Sequence, residues 1–241
     1  MQDDCITATP LFAFDDLTVA GVGHPRLDGA SGAIPDDGVT VLVGPSGSGK
    51  STLLRCCNRL EIPDRGAVRF RGDDVGGLDP LSLRRRVGMV FQRPTPFAGT
   101  VRDNLCVAEP ELTDDEAATT LARVGLVTSF LDRDARALSG GEAQRVCLAR
   151  TLVTVPEVVL MDEVTSSVDP AARTALEDLA RELASGGVRI AWVTHDLDQM
   201  RRLADHVLVV IAGRIVHAGT AEMLGADAPV EARRFLRGEA A

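Results

Sequence analysis

One short stretch combines glycines, a lysine and a serine in an order that favours phosphate binding. Residues 44–51 read GPSGSGKS and fit the pattern G-x-x-x-x-G-K-[ST]. Glycines let backbone N–H groups converge on a phosphate without obstruction by Cβ atoms, and the N-terminus of the following helix adds positive potential. We expect Lys50 to meet the β- and γ-phosphates of a nucleotide and the Ser51 hydroxyl to bind Mg²⁺. The predicted nucleotide-binding residues of this loop are Gly44, Pro45, Ser46, Gly47, Ser48, Gly49, Lys50, Ser51 and Thr52.

Lys50 is the only lysine among 26 basic residues, and the others are arginines. A compact ammonium fits a backbone cage around phosphate, whereas a planar guanidinium needs more room and a fork-shaped partner. The alternative, a Gly/Ser-rich turn that only caps a helix, is disfavoured because a strand pattern precedes the loop and a helix pattern follows it. The lone lysine therefore marks the predicted phosphate site.

Two adjacent acids, Asp162 and Glu163, follow the apolar run 158–161. An acid at such a strand end beside a phosphate loop is placed to hold Mg²⁺, which is the role we expect for Asp162. Successive strand residues point to opposite faces, so Glu163 projects differently and can polarise an attacking water. The alternative is an acidic strand end that only faces solvent.

The elements expected to position these residues form an α/β fold. Near-continuous hydrophobic runs indicate strands that are covered on both faces, as in a parallel sheet. These strands are predicted at 39–43, 87–91, 158–161, 188–194 and 207–211, with helices at 50–60, 113–124, 140–153, 170–184 and 197–204. Alternating stretches at 12–19 and 67–70 indicate an antiparallel N-terminal sub-sheet.

Residues 93–137 carry helical signals without a convincing strand, which predicts a small helical subdomain inserted into the α/β core. Within it, Thr113 is a good N-cap because acids at 114–116 occupy the positive end of the helix that follows. The predicted organisation is a single domain over 1–241, with an α/β core at 11–92 and 138–220. We expect residues 221–241 to form a peripheral C-terminal helix.

Composition excludes several classes of protein. The chain has 241 residues and a net charge of −9 with a pI near 5.0, so bulk attraction to nucleic acid or anionic lipid is not expected. Five cysteines form no C-x-x-C pair. The first residues lack a basic segment followed by an apolar run, so we do not expect a secretory signal, and the apolar runs are too short to span a bilayer. We therefore expect a cytoplasmic protein that reaches a membrane only through a partner.

Residues 138–145 read LSGGEAQR, and together with the phosphate loop and the carboxylate pair they resemble the ATP-binding subunits of ABC transporters. The resemblance covers roughly residues 11–220. It implies a P-loop NTPase core with a mainly parallel sheet, an antiparallel sub-sheet and a helical subdomain. It further implies ATP hydrolysis that powers transport through a membrane permease. The signature residues that would face the γ-phosphate of a partner subunit's ATP are Ser139, Gly140, Gly141 and Glu142.

The resemblance also implies roles for two residues that follow strands. Gln92 matches a glutamine that contacts Mg²⁺ and the attacking water, and His195 matches a switch histidine that contacts the γ-phosphate and supports Glu163. The implied catalytic set is Glu163, His195, Gln92, Lys50, Ser139 and Gly141, and the implied Mg²⁺ ligands are Ser51, Gln92 and Asp162. Asp169 matches a residue that communicates across the dimer, although it could simply cap the helix beginning at Pro170.

For partners, the resemblance implies a head-to-tail homodimer with ATP between the subunits, or a pair with a related ATPase, and no nucleic acid. Residues 92–100 would contact the permease on the inner face of the membrane, with Phe97 either an anchor or part of the subdomain core. Subfamily cues conflict, since 91–97 look like phosphate-import ATPases whereas 100–105 and 162–165 look closer to metal or iron exporters.

Two other functions fit the sequence less well: an ABC ATPase without transport, acting in DNA repair or translation, and a regulatory nucleotide binder. A non-transport ABC ATPase of DNA repair would need a long coiled coil before the signature, and only residues 93–137 are available there. A translation ABC ATPase would carry two cassettes in one chain. A regulatory nucleotide binder that does not hydrolyse is disfavoured by the presence of Glu163 and His195.

The family usually stacks adenine on an aromatic residue near positions 20–24, but this chain has AGVGH there and no tyrosine anywhere. Either His24 substitutes for that residue or adenine rests on weaker apolar contacts. Both alternatives predict relaxed nucleobase selectivity.

Overall fold

Ten β-strands and eight α-helices form among residues 9–166, 168–220 and 228–237, the residues that this computed structural model describes. In chain order they are β1 (Phe12–Val19), β2 (Leu27–Ile34), β3 (Val39–Val43), α1 (Lys50–Cys57), β4 (Arg65–Phe70), β5 (Asp73–Asp74), α2 (Pro80–Arg86), β6 (Val87–Val90), α3 (Val101–Ala108), α4 (Asp114–Arg123), α5 (Gly140–Leu152), β7 (Val158–Asp162), α6 (Pro170–Ser185), β8 (Arg189–Val193), α7 (Leu197–Leu203), β9 (His206–Ile211), β10 (Arg214–Thr220) and α8 (Val230–Leu236). They divide between two compact units, one within Met1–Asp79 and His195–Ala241 and the other Pro80–Thr194.

The first unit contains an antiparallel sheet in the order β2-β1-β4-β5. Phe12 and Phe70 pair in its register, and their buried rings stack with centroids 5.1 Å apart. Such aromatic cross-strand pairs stabilise a sheet beyond the area that they bury. The antiparallel N-terminal sub-sheet is therefore confirmed.

The same unit holds the strand that leads into the phosphate loop. β3 pairs in parallel with β9, and β9 pairs with β10 in antiparallel fashion. All five residues of β3 are buried, and the Asp205 carboxylate accepts the Val39 N–H at 2.8 Å. The start of this strand is thereby fixed, and its carboxyl end presents the loop that begins at Gly44.

In the second unit, β6, β7 and β8 pair in parallel in that order. Every residue of β7 is buried, as expected for a strand with near-continuous hydrophobicity. Carboxyl ends of parallel strands meet at one edge of a sheet, so β6 and β7 carry Gln92 and Glu163 to the same edge. The α/β fold class is confirmed by these parallel strands and the helices that alternate with them.

Three helices of the second unit begin with a capping box, in which the N-cap side chain and the residue three positions later bind each other's backbone N–H. Their N-caps and partners are Thr100 with Asp103, Thr113 with Glu116, and Ser139 with Glu142. The predicted N-cap at Thr113 is confirmed. Each box fixes where its helix starts, and the third box belongs to the signature.

Several element boundaries differ from those predicted. The helix predicted over 50–60 ends at Cys57, because Arg59 adopts a left-handed φ of 57° and the chain turns. Strands β2, β5 and β10 and helix α2 were not predicted. The C-terminal helix predicted over 221–241 corresponds in part to α8, while residues 221–227 and 238–241 lie outside the described residues. Among the described residues, no helix is long and apolar enough to cross a membrane.

Candidate functional site

Lys50 is held inside the predicted phosphate loop. Its side chain is 4% exposed, and its Nζ donates to the carbonyl oxygens of Gly44 at 2.9 Å and Pro45 at 2.8 Å. The loop is further closed by a hydrogen bond from the Ser48 N–H to the Pro45 oxygen at 3.2 Å. An ammonium with three donors suits this ring of carbonyls, whereas a guanidinium fork does not. The lysine charge is therefore fixed at the centre of the loop.

Two glycines make this tight loop possible, and a third leaves its outer side open. A Cβ on Gly44 would lie 1.9 Å from the Val210 oxygen, and one on Gly49 would lie 2.4 Å from the Arg26 oxygen. A Cβ on Gly47 would meet nothing within 4 Å, and Gly47 and Ser46 are exposed. The loop is therefore packed against its own unit on one side and accessible to a phosphate on the other, as a phosphate cradle requires.

The remaining predicted residues of the first unit lie on two elements. Ser51 is half-buried and Thr52 is buried in the first turn of α1, where N–H groups lack partners within the helix. His195 is exposed and immediately precedes Asp196, the N-cap of α7. The Asp196 carboxylate accepts the N–H groups of residues 198 and 199, so the backbone next to His195 is fixed.

The loop at 20–24, predicted to lie near adenine, is exposed in the first unit. Val22 is fully exposed and His24 is exposed. Arg26 organises the base of this loop, because its Nε donates to the Ala20 oxygen at 3.0 Å while its guanidinium pairs with Glu61. The loop therefore offers the His24 ring and the Val22 side chain, and no larger aromatic, to a nucleobase.

We predict that the chain binds ATP and GTP with affinities within about 10-fold of each other, because stacking on His24 or apolar contact with Val22 would not distinguish one purine from the other. Titration calorimetry of both nucleotides on the purified chain measures this ratio. His24→Ala separates the two alternatives, since it weakens binding only if the imidazole stacks on the base. A strong preference for ATP over GTP would contradict the prediction.

In the second unit, Gln92 and Glu163 are in contact. The Gln92 Nε2 donates to the Glu163 Oε2 at 3.3 Å and to the Ser166 Oγ at the same distance. Because the amide nitrogen is used in this way, the Gln92 Oε1 is the atom left to bind a cation. Gln92 and Glu163 were both predicted as site residues, whereas the hydrogen bond from Gln92 to Ser166 was not predicted.

Glu163 has an unusual backbone conformation. Its φ is 47°, in the left-handed region that non-glycine residues rarely adopt. The Glu163 oxygen accepts the Ser166 N–H at 3.0 Å, and its own N–H donates to the Val193 oxygen of β8 at 3.2 Å. Asp162, the last residue of β7, is 3% exposed. The turn after β7 thus holds Asp162 inside and Glu163 at the sheet edge, so the two acids have different surroundings.

The signature residues form the exposed N-terminus of α5. The Ser139 N–H donates to the Glu142 Oε2 at 2.7 Å, and Arg133 donates to the other carboxylate oxygen at 3.0 Å. The bond from Ser139 lowers the pKa of Glu142, and Arg133 adds to the effect. A Cβ on Gly140 would meet nothing within 4 Å. Glu142 therefore stabilises the helix start, and open space lies over the glycine where a phosphate would approach.

Asp169 is the N-cap of α6, which is one of the two roles predicted for it. Its carboxylate accepts the Ala172 N–H at 3.0 Å at the start of α6. Backbone hydrogen bonds of this kind lower the pKa of Asp169, and the nearby Arg145 also contributes. The role across a dimer stays a prediction.

Sequence reasoning missed Ser166, Gln144, Arg150 and Asn104 as part of this unit's polar network. Gln144 and Asn104 are almost fully buried polar residues that directly adjoin buried apolar residues of their helices, Ala143 and Leu105. A buried polar residue beside such neighbours needs a hydrogen-bond partner, so this pattern could have identified them as polar contacts. Their partners, however, could be found only from the structure.

Comparisons with known proteins show the family of this chain. A family model described as ABC transporter matches residues 27–166, more than half of the chain. Protein STAR1 of Oryza sativa subsp. japonica is 43% identical over 220 residues, which cover 89% of this chain and 63% of that protein. ABC transporter I family member 17 of Arabidopsis thaliana is 41% identical over 235 residues, covering 95% of this chain and 89% of that protein. The chain thus spans less than two thirds of the length of the rice relative.

A solved structure has the same fold. It is cbiO1 from Clostridium perfringens, described as part of the ABC transporter complex cbiONQ, and it matches with a TM-score of 0.78 and 28% identity over 91% of this chain and 92% of that one. This likeness confirms the predicted P-loop NTPase core. The family match contains the phosphate loop, Gln92, the signature and the carboxylate pair, while His195 lies beyond it.

Proposed function

The chain belongs to the ABC transporter family of ATP-binding proteins, and from that premise we propose that it hydrolyses ATP to power transport through a membrane permease. The observation that carries the proposal is the contact between Gln92 and Glu163 at the carboxyl ends of β6 and β7. A glutamine that holds a carboxylate at a sheet edge can orient that carboxylate toward a water. Polarising water for attack on a phosphate is the step that hydrolysis adds to binding.

The phosphates would be bound by the loop over residues 44–52. Its backbone N–H groups and the N-terminus of α1 supply fixed partial positive charge, and Lys50 supplies a full one. The ring of carbonyls around Nζ keeps this charge in place before the substrate arrives. Little reorganisation is then needed at the moment of reaction, which is how positioned charges accelerate phosphoryl transfer.

The residues predicted to hold Mg²⁺ suit that ion chemically. Ser51 offers a hydroxyl, Asp162 a buried carboxylate and Gln92 an amide oxygen, all hard ligands of the kind that Mg²⁺ prefers. The ion would neutralise charge that develops on the phosphate oxygens. Glu163 would accept a proton from the attacking water, and His195 would contact the γ-phosphate from its exposed position.

Two copies would form a head-to-tail dimer in which the signature of one subunit covers the ATP bound by the other. The exposed Ser139 hydroxyl and the open space over Gly140 support this role. A helix N-terminus aimed at a phosphate would act as a second clamp. Pairing with a related ATPase instead of a second copy would use the same surface.

The permease would dock on residues 92–100, which begin the predicted helical subdomain over 93–137. Most of this segment is exposed, and the Phe97 ring is 47% exposed, so it is not part of the buried core. Docking there would place the protein on the cytoplasmic face of the membrane. Closing of the ATP-bound dimer would then move the permease, because ATP has a higher affinity for the closed state.

Mixing two inactive variants tests this composite site. Lys50→Ala removes the loop charge, and Gly140→Asp places an acid against the γ-phosphate, where the open space allows folding. Each variant alone is expected to be inactive. In a mixture, half of the dimers pair one variant with the other and have one intact site of two, so phosphate release should return to about a quarter of the wild-type rate.

The matched control mixes Lys50→Ala with the double variant Lys50→Ala/Gly140→Asp, in which no dimer has an intact loop. This mixture is expected to stay inactive. If the first mixture also stays inactive while the wild type hydrolyses ATP, the active site does not combine residues of two chains and the head-to-tail dimer is wrong.

A further inference from the structure

We propose that Gln144 and Arg150 are positioning residues that couple the signature end of α5 to the segment 91–100. The inference rests on the proposed function, in which that segment meets the permease and the signature meets ATP. Both residues lie on α5, the helix that begins at the signature. A displacement at either contact would therefore be transmitted to the other through this helix.

Gln144 holds the start of the segment. Its side chain is 1% exposed, and its Nε2 donates to the Phe91 oxygen at 3.1 Å. Phe91 immediately precedes Gln92, so this bond sets the backbone from which the Gln92 side chain reaches Glu163. A buried amide that lost this partner would leave a polar group unsatisfied, so the bond is costly to break.

Arg150 contacts the middle of the segment directly at two residues and indirectly through Asn104. Its Nη1 donates to the Thr95 oxygen at 3.3 Å and to the Asn104 Oδ1 at 3.2 Å. The guanidinium carbon also lies 4.3 Å from the centroid of the Phe97 ring, within the range of a cation–π interaction. Arg150 thus covers one face of the aromatic ring that the segment presents.

Asn104 gives the segment a fixed shape. It is completely buried, its Oδ1 accepts the Phe97 N–H at 2.7 Å, and its Nδ2 donates to the oxygens of Phe97 at 3.1 Å and Thr100 at 2.9 Å. Because Arg150 binds the same Oδ1, this folded segment and the helix share one hydrogen-bond network. Networks of this kind are rigid when every member has a partner.

The two attachment points lie along one helix. Gln144 and Arg150 are six residues apart, which at 1.5 Å per residue corresponds to about 9 Å. Ser139, the N-cap of the same helix, is five residues before Gln144. A displacement of the segment held at two such points requires α5 to move with it, and the signature moves because it is the end of that helix.

Hydrogen–deuterium exchange measures this coupling without the permease. The purified chain carrying Glu163→Gln is compared with and without ATP, and amide exchange is followed in peptides covering 139–144 and 93–100. We expect ATP to slow exchange in both regions by about 5-fold or more, the lower end of typical coupling between sites. Adding Arg150→Ala should preserve the ATP response at 139–144 and abolish the response at 93–100.

The quantity compared is the change in amide exchange at 93–100 on adding ATP. If Arg150 had a purely structural role, Arg150→Ala would raise exchange equally with and without ATP, and this change would be preserved. Arg150→Lys, which keeps the charge but not the planar fork, is expected to restore part of the response. Arg102→Ala is the matched control, because Arg102 pairs with Asp114 and Asp132 in the same unit. If Arg150→Ala does not fold, Phe97→Leu at the exposed ring replaces it, and the response at 93–100 should fall.

Three results are decisive. A lack of ATP protection at 139–144 in the Glu163→Gln chain would overturn the proposed dimer. Protection at 139–144 without any change at 93–100 would overturn the coupling alone. An ATP response at 93–100 that survives both Arg150→Ala and Phe97→Leu would also show that these contacts do not carry it.

Discussion

Glu163→Gln is expected to reduce phosphate release by about 100-fold or more while ATP binding persists, and to cause an ATP-bound dimer to accumulate. The neutral amide cannot take a proton from water, and loss of a general base typically costs 10²–10⁴-fold. The new side chain keeps its length and an oxygen that can still accept the Gln92 Nε2 hydrogen bond. The local geometry is therefore retained while the chemistry is lost. A phosphate-release assay and size-exclusion chromatography with light scattering, each with ATP, measure the two effects.

Glu157→Gln is the matched control for this variant. Glu157 directly precedes β7, at the opposite end of that strand from Glu163, and pairs with Arg86 at 2.5 Å. The same change of charge there is expected to leave turnover and the monomer–dimer balance close to those of the wild type. Undiminished turnover in Glu163→Gln would show that another group is the base.

Lys50→Ala is expected to eliminate ATP hydrolysis and to weaken ATP binding by about 10- to 100-fold. A hydrogen bond to a charged group contributes about 1.5–3 kcal/mol, and the substitution removes the only full positive charge held by the loop carbonyls of Gly44 and Pro45. Titration calorimetry with ATP and a phosphate-release assay measure the two losses. Lys50→Arg is expected not to restore activity, because the larger guanidinium does not fit the same ring of carbonyls.

Arg55→Ala removes one positive charge from the last turn of the same helix and serves as the control for Lys50→Ala. It is expected to keep most of the ATP affinity. Thermal unfolding of both variants separates loss of binding from loss of the fold. Lys50→Ala that folds and still hydrolyses ATP at the wild-type rate would remove the phosphate loop from the mechanism.

Local structure at the predicted site residues followed from sequence because local physics determines it. β3 and β1 have the predicted boundaries, and α5 begins at Gly140 as predicted, since Ser139 and Glu142 three residues later form a capping box. Such signals need only neighbouring residues. The residue types of the phosphate loop likewise indicated its role, although the close approaches that require Gly44 and Gly49 involve the distant Val210 and Arg26.

Elements with weak local signals were missed. β2 reads LDGASGAI, and glycine, alanine and aspartate are depleted in strands, so its pairing with β1 decides its structure. β10 is half-exposed along its length and lacks the apolar run of its neighbour β9. α2 did carry a signal, because Pro80 is its first residue, a position that proline favours.

Contacts between distant residues could not be predicted from sequence. Gln92 and Ser166 are 74 positions apart, and Gln144 and Phe91 are 53 apart. The sequence showed which of these residues are polar, but only the packing of β6, β7 and α5 shows which of them meet. The unusual φ of Glu163 likewise depends on the turn that follows β7, and no residue type in that turn predicts it.

The burial of Lys50 has a consequence for chemical modification. This lysine carries the only side-chain amine in the 241 residues, and its Nζ is enclosed by carbonyl oxygens. Acylating reagents, cross-linkers and enzymes that form isopeptide bonds all need an accessible side-chain amine. The folded surface formed by the described residues offers them none, because no other described residue carries a side-chain amine. Any acylation of this side chain would report that the phosphate loop has opened.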